Sequence, residues 1–274
     1  MSYLSNRVTP YSDKVDITPQ PTILEATRQT GYKYYQAINE LIDNSKDADA
    51  KNVIIEIGSK THTDGEKYPY LTIADNGCGM SLNKLKNYLS LGVQMTSPTK
   101  SHGRFGVGGK TSIGTFLGDA TIYSTNNLSE GLYKIKYNID EIIKSGKFET
   151  IVSLVDDPDE VKDFLNFTHT DGNTSGTVIK IENIKAFKFH SVSQVKNTIL
   201  KSAGETYRLP LLSKSFTITI NRQEVDPTDP MFLKVPLKKT KKYGEVLDKK
   251  THDVTWVDEN GKERESSFTI TYVK

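Results

Sequence analysis

The runs of β-branched and aromatic residues in this chain are short, and turn residues close each of them after a few positions. Val53-Ile54-Ile55-Glu56-Ile57 lies between Asn52 and Gly58, and Tyr70-Leu71-Thr72-Ile73-Ala74 ends at Asn76-Gly77. Further runs occupy 120–125, 132–139, 149–155, 176–182 and 216–220, the last alternating and followed by Asn221-Arg222. Near the end, residues 254–257 and 267–271 flank Asn260-Gly261, a pair that closes hairpins because both residues tolerate positive φ. Strands at meander spacing pair antiparallel, whereas parallel pairs need long crossovers.

Helical periodicity is confined to a few places. Tyr34, Ala37, Ile38, Leu41 and Ile42 recur at three- and four-residue spacing, and 82–91 reads as a short helix. Residues 191–207 return to the same period through Val192, Val195, Ile199 and Ala203. Residues 92–112 are rich in Gly, Ser and Thr, carry Pro98, and read as a long functional loop. Residues 1–20 carry Pro10 and Pro19 without a period and read as an extended arm. The pattern predicts an α+β fold with a largely antiparallel sheet and helices on one face.

Bulk properties exclude more than they identify. With 274 residues and 35% hydrophobic content, the chain can bury a real core as one large domain or two smaller ones. A formal net charge of +2 lacks the strong basic excess of a nucleic-acid footprint. Cys78 is the one cysteine, so an intrachain disulfide is impossible and a reducing interior fits. No window approaches a membrane span and residues 1–14 lack an apolar signal core, so a soluble cytoplasmic protein is expected.

Three polar clusters carry chemistry. In Glu40-Leu41-Ile42-Asp43-Asn44-Ser45-Lys46-Asp47-Ala48, a helix puts Glu40, Asn44 and Asp47 on one side and turns Leu41 and Ile42 to the core. An amide oxygen there suits magnesium, which keeps several waters, and a carboxylate can orient or deprotonate water. Alone, this cluster fits a solvated polar face on an amphipathic helix better than a site. In Asp75-Asn76-Gly77-Cys78-Gly79-Met80, the aspartate at a strand end can accept from an exocyclic amine, and Met80 offers a soft apolar surface to a flat base. Alone, it is an ordinary turn. In Gly103-Arg104-Phe105-Gly106-Val107-Gly108-Gly109-Lys110-Thr111, the glycines leave N–H groups to face an anion, and Lys110 adds a point charge. A P-loop is excluded there because position 104 is arginine and 99–102 is polar rather than a buried strand.

The order of the three clusters resembles the N box, G1 box and G2 lid of the GHKL ATPases (gyrase, heat-shock chaperone, histidine kinase, MutL). Gly176-Thr177-Val178-Ile179 resembles the late Gly-Thr strand of the same superfamily, and the likeness runs from about residue 30 to about residue 225. The resemblance implies a Bergerat-type two-layer sandwich and an Mg-dependent ATPase of slow turnover. By similarity Glu40 is the general base and Asn44 the magnesium ligand, with Asp43 and Asp47 supporting them. Asp75 meets the adenine amino group, and Gly77, Gly79, Met80 and Thr177 complete the base site. Gly103, Arg104, Phe105, Gly106, Val107, Gly108, Gly109 and Lys110 form the lid over the phosphates.

Within the superfamily, Glu-Leu-Ile-Asp-Asn followed by Ser-x-Asp-Ala looks most like Microrchidia-like and MutL-like domains. A histidine kinase is disfavoured by Glu40, and none of His62, His102, His169, His190 and His252 sits in a dimerisation helix. The resemblance further implies ATP-dependent homodimerisation, a clamp or switch role with DNA or a DNA-processing partner, and no membrane. It divides the chain into an ATP-binding domain over 1–230 and the beginning of a transducer-like domain over 231–274, so that a longer protein is expected. Lys238-Lys239-Thr240-Lys241-Lys242 reads as a solvated basic loop. The alternative is a nucleotide-binding regulatory or chaperone-like module with little turnover.

Overall fold

A computed structural model of the chain describes residues 21–24, 33–89, 108–168, 174–185, 192–234, 242–258 and 260–274. The helices are α1 (Tyr34–Asp47), α2 (Leu82–Tyr88), α3 (Gly108–Thr115), α4 (Ile139–Ser145), α5 (Pro158–Thr168), α6 (Val192–Thr206) and α7 (Arg208–Leu212). The strands are β1 (Asn52–Thr61), β2 (Lys67–Asp75), β3 (Asp119–Thr125), β4 (Tyr133–Tyr137), β5 (Val152–Leu154), β6 (Gly176–Glu182), β7 (Thr217–Ile220), β8 (Gln223–Glu224), β9 (Val246–Val257) and β10 (Glu263–Val273).

β1 to β8 form one sheet in the order β5-β4-β3-β6-β2-β1-β7-β8. Every pairing in it is antiparallel except β1 with β7, which run parallel from Asn52↔Thr217 to Ile55↔Ile220. The fold class is therefore α+β with a mostly antiparallel sheet, as the strand spacing predicts. Alternation sends Val53, Ile55 and Ile57 of β1, Leu71 and Ile73 of β2, Ile122 of β3 and Ile179 and Ile181 of β6 to one face. Ala37, Ile38, Leu41 and Ile42 of α1, Ile113 of α3 and Val195, Ile199 and Ala203 of α6 close over that face.

The structure adds a helix on the opposite face. There Phe164 of α5 packs with Ala74, Tyr123 and Val178, the residues that alternate with the inner row. Ion pairs from Lys134 to Glu160, at 2.6 Å, and from Lys180 to Asp163 hold α5 against the strands. Its consequence is local: the second half of β2, from Leu71 to Asp75, is buried on both faces. A strand that ends in aspartate thus ends inside the protein.

Several boundaries differ from the sequence reading. The loop expected over 92–112 contains, from Gly108, the start of α3, whose glycines are poor helix formers. Burial of Ile113, with Phe116 just beyond the helix, supplies what propensity lacks. The rest of that loop and the arm over 1–20 lie outside the described residues. α2 ends at Tyr88, and residues 90–91 are likewise outside. The run expected as strand over 132–139 stops at Tyr137, because Asn138 caps α4 by accepting the Glu141 N–H at 3.0 Å. β9 and β10 are far longer than their apolar patches and form a ribbon of their own, with Gly261 at φ 75 in its turn. Among the described residues no helix is long and apolar enough to cross a membrane.

Candidate active site

Asp75 is the chemical centre of the site. It ends β2 on the α1 side of the sheet and is only 7% exposed. Oδ1 accepts the Gly77 N–H at 2.9 Å, and Oδ2 lies 3.0 Å from the Ser45 hydroxyl of α1. The Thr177 N–H of β6 adds a third donor. Burial outweighs all three and pushes the carboxyl up to about 6. Tyr88 at the end of α2 is half-buried, and loss of solvent together with the Asp75 charge holds its phenol above its ordinary range. A carboxylate kept this dry retains lone pairs that these donors do not use.

The turn after Asp75 is laced to its surroundings. Asn76 Oδ1 accepts the N–H groups of Lys51 and Asn52, both at 2.9 Å, and the Cys78 N–H donates to the Ala48 carbonyl at 2.8 Å. The end of α1 and the turn after β2 therefore move as one body. Gly79 has φ 59, and a Cβ there would sit 1.9 Å from the Thr125 carbonyl oxygen. A Cβ on Gly77 would come within 2.7 Å of the Ala48 carbonyl oxygen. Both positions of the Asp-x-Gly-x-Gly string thus require glycine because other backbone approaches closely.

Met80 and Thr177 join Asp75 through a residue that sequence reasoning missed. Ser124, at the end of β3 and fully buried, accepts the Met80 N–H at 2.9 Å. Its oxygen also lies 2.9 Å from the Gly176 carbonyl oxygen and 2.9 Å from Thr177 Oγ1. Ser175 adds a bond to the Gly77 carbonyl at 2.8 Å. The signal was available: Ala120, Ile122 and Ser124 share one face of β3, so a serine stands where alternation calls for an apolar residue.

The α1 edge is built differently. Glu40 is half-buried, and burial, then the charge of Asp43, raises its carboxyl above the usual range. Asn44 is exposed, and Asp47 is half-buried at the last turn. Asp43 does not join them at the open edge. Its Oδ1 accepts the hydroxyl of Tyr207, at 2.9 Å, and that hydroxyl also meets the Asn39 carbonyl at 2.8 Å. Asn39 in turn donates to Ser202 at 3.0 Å and Thr206 at 3.3 Å of α6. The turn that presents Glu40 is thus clamped from behind by Tyr207, a second residue that sequence reasoning missed.

Of the expected phosphate lid, Gly108, Gly109 and Lys110 form the first turn of α3, which packs on α1. Gly103, Arg104, Phe105, Gly106 and Val107 lie outside the described residues. The first N–H groups of a helix lack intrahelical partners, so this turn faces an anion well. Among the described residues no cluster of three or more His, Cys, Asp or Glu could hold a metal alone.

Residues 32–177 match the family model described as histidine kinase-, DNA gyrase B- and HSP90-like ATPase. The chain belongs to that family. Microrchidia 1 of Arabidopsis thaliana is 27% identical over 132 residues, which cover 46% of this chain and 20% of that protein. The crystallised ATPase and transducer domains of DNA topoisomerase II from Balamuthia mandrillaris share 12% identity at TM-score 0.45, covering 70% of this chain and 48% of that one. The N-terminal domain of a DNA repair protein shares 13% at TM-score 0.44, covering 72% and 51%. The chain therefore spans between a fifth and about half of the length of these proteins.

Proposed function

We propose that this ATPase-family chain binds ATP with magnesium and hydrolyses it, using the binding to close its lid and join two copies. The observation that carries the reading is Asp75, a buried carboxylate that already holds three protein donors at a strand end flanked by required glycines. Its remaining acceptor capacity matches an exocyclic amine, and Met80 provides an apolar wall. Gly108, Gly109 and Lys110 at the head of α3 receive the phosphates, with Gly103 to Val107 completing the lid. Asn44 offers an amide oxygen at the α1 edge, and with phosphate oxygens and water it fits magnesium, which needs few protein ligands. The metal, when bound, neutralises charge on the phosphates. Glu40 orients the attacking water and takes its proton, a role favoured by a carboxyl whose proton affinity burial and the Asp43 charge raise.

The β9–β10 ribbon is a separate sheet, which supports reading 231–274 as the beginning of a transducer-like domain. DNA or a DNA-processing protein as partner follows from the motif resemblance. It is tested by turnover with and without DNA: acceleration supports it and equal rates remove it.

The nucleotide reading is tested by calorimetry with a non-hydrolysable ATP analogue and magnesium on the parent and on Asp75→Asn. Binding in the parent with clear loss in the variant is expected. Equal binding by the two would take the base away from Asp75.

A further inference from the structure

Ser124, Thr177 and Asp75 form one row across the sheet. Thr177 is the direct partner of Ser124 on β3 and of Asp75 on β2, so the three side chains stand on the same face. Hydrogen counting fixes their direction. The Ser124 hydroxyl has a single hydrogen and already accepts from Met80. Its contact with the Gly176 carbonyl is a donation, since a carbonyl oxygen has nothing to give. The 2.9 Å contact with Thr177 must then be a donation from Thr177, whose own hydrogen is thereby spent. Thr177 is part-exposed and retains only lone pairs for anything outside the protein.

We propose that Ser124 is a specificity-determining residue that acts through Thr177. By taking the Thr177 hydrogen it leaves Thr177 beside Asp75 as acceptors only, so the site admits a base presenting an amino group and repels one presenting a carbonyl. The inference rests on the nucleotide reading above and deepens it. Ser124 is sealed from solvent and touches no ligand itself, so its effect is one of orientation. A hydroxyl released from Ser124 turns and donates to a carbonyl, which erases the distinction.

The test uses calorimetry at pH 8, where Asp75 is ionised, with non-hydrolysable ATP and GTP analogues on four proteins: the parent, Ser124→Ala, Thr177→Val and the double variant. The parent prefers the ATP analogue, and Ser124→Ala narrows the ratio by about tenfold, one hydrogen bond's worth. Thr177→Val has neither a hydroxyl to turn nor lone pairs to repel a carbonyl, so it weakens the ATP analogue and narrows the ratio by itself. The double variant must return to the Thr177→Val ratio. A general loosening of the turn weakens both nucleotides alike and leaves the ratio unmoved. An unchanged ratio in Ser124→Ala, or a double variant whose ratio differs from that of Thr177→Val, overturns the proposal while the nucleotide reading stands. Parent protein alone gives a second readout, should the serine variant not fold. Inosine triphosphate, with a carbonyl at the tested position, binds more weakly than purine riboside triphosphate, which has only hydrogen there, because repulsion exceeds a missing bond. Equal binding of those two overturns the inference. Failure of the parent to bind any triphosphate sinks the nucleotide reading and the inference together.

Discussion

The two ends of the site are constructed on opposite principles. The Asp75 end is dry, glycine-lined and bonded into three strands and a helix before any ligand arrives. The Glu40 end is a half-open helix edge, with its precision supplied from behind by Tyr207. On the function proposed above, recognition is preorganised in the sheet, whereas catalysis depends on one helical turn held by Tyr207 and α6. Changes at the first end alter folding and binding together; changes at the second alter rate with binding kept.

Replacing Glu40 by Ala separates the ends most sharply. Loss of a general base costs about 10²–10⁴-fold in turnover, while affinity for a non-hydrolysable analogue stays within about twofold. Single-turnover and calorimetric measurements on one preparation check this, and hydrolysis at the parental rate would remove Glu40 as the base. Gly79→Ala attacks the other end. Its Cβ overlaps the Thr125 carbonyl at φ 59, so a loss of about 3 kcal/mol or more is expected. That corresponds to a fall in Tm of roughly 6–12 °C by calorimetry. A variant as stable as the parent would mean that this turn is not held as described.

Asp75→Asn sharpens the contrast because binding and stability move in opposite directions. The folded carboxyl titrates at about 6, above its ordinary value, so the folded state holds the proton more tightly than the unfolded chain. The parent accordingly loses stability as pH rises through about 6, and the neutral amide escapes that loss. The variant is more stable than the parent at pH 8 by roughly 1–3 kcal/mol, and the gain fades toward pH 4. Denaturant titrations at the two pH values decide it, with a pH-independent difference counting against the burial argument. The smallest effect is that of Tyr207→Phe. The ring stays packed near Phe216 while the hydroxyl's bonds are lost, at about 1 kcal/mol in stability. Turnover falls a few-fold with analogue affinity unchanged, and a fall in affinity instead would assign Tyr207 to binding.

The sheet and the base end were the more legible parts in the sequence, for a physical reason. Alternation in β1, β2 and β6 is a direct image of burial, and Asp75, Gly77 and Gly79 fall within five positions at the end of β2 and the turn after it. α4, α5 and α7 were not visible, because few of their residues are buried: Ile139 and Ile142 in α4, Phe164 and Thr168 in α5, and Leu211 in α7. α3 was hidden by its glycines, which tertiary packing overrides. Ser124 was announced only as a serine at an apolar position of β3, whereas Tyr207 lies 168 positions from the Asn39 carbonyl it bonds, so no local pattern announces it. Asp43 sits in the right box but is spent on Tyr207, a role that motif spacing does not distinguish from ligand contact.

The parallel seam between β1 and β7 sets an order in which the protein comes into being. Everything that builds the Asp75 end is in the chain by Glu182, while the clamp on the Glu40 turn awaits Tyr207 and the seam awaits Thr217 to Ile220. At ribosomal rates of about 5–20 residues per second, that gap lasts on the order of seconds, long beside the closing of a strand pair. A nascent chain thus completes the surroundings of Asp75 before it can hold the turn that carries Glu40.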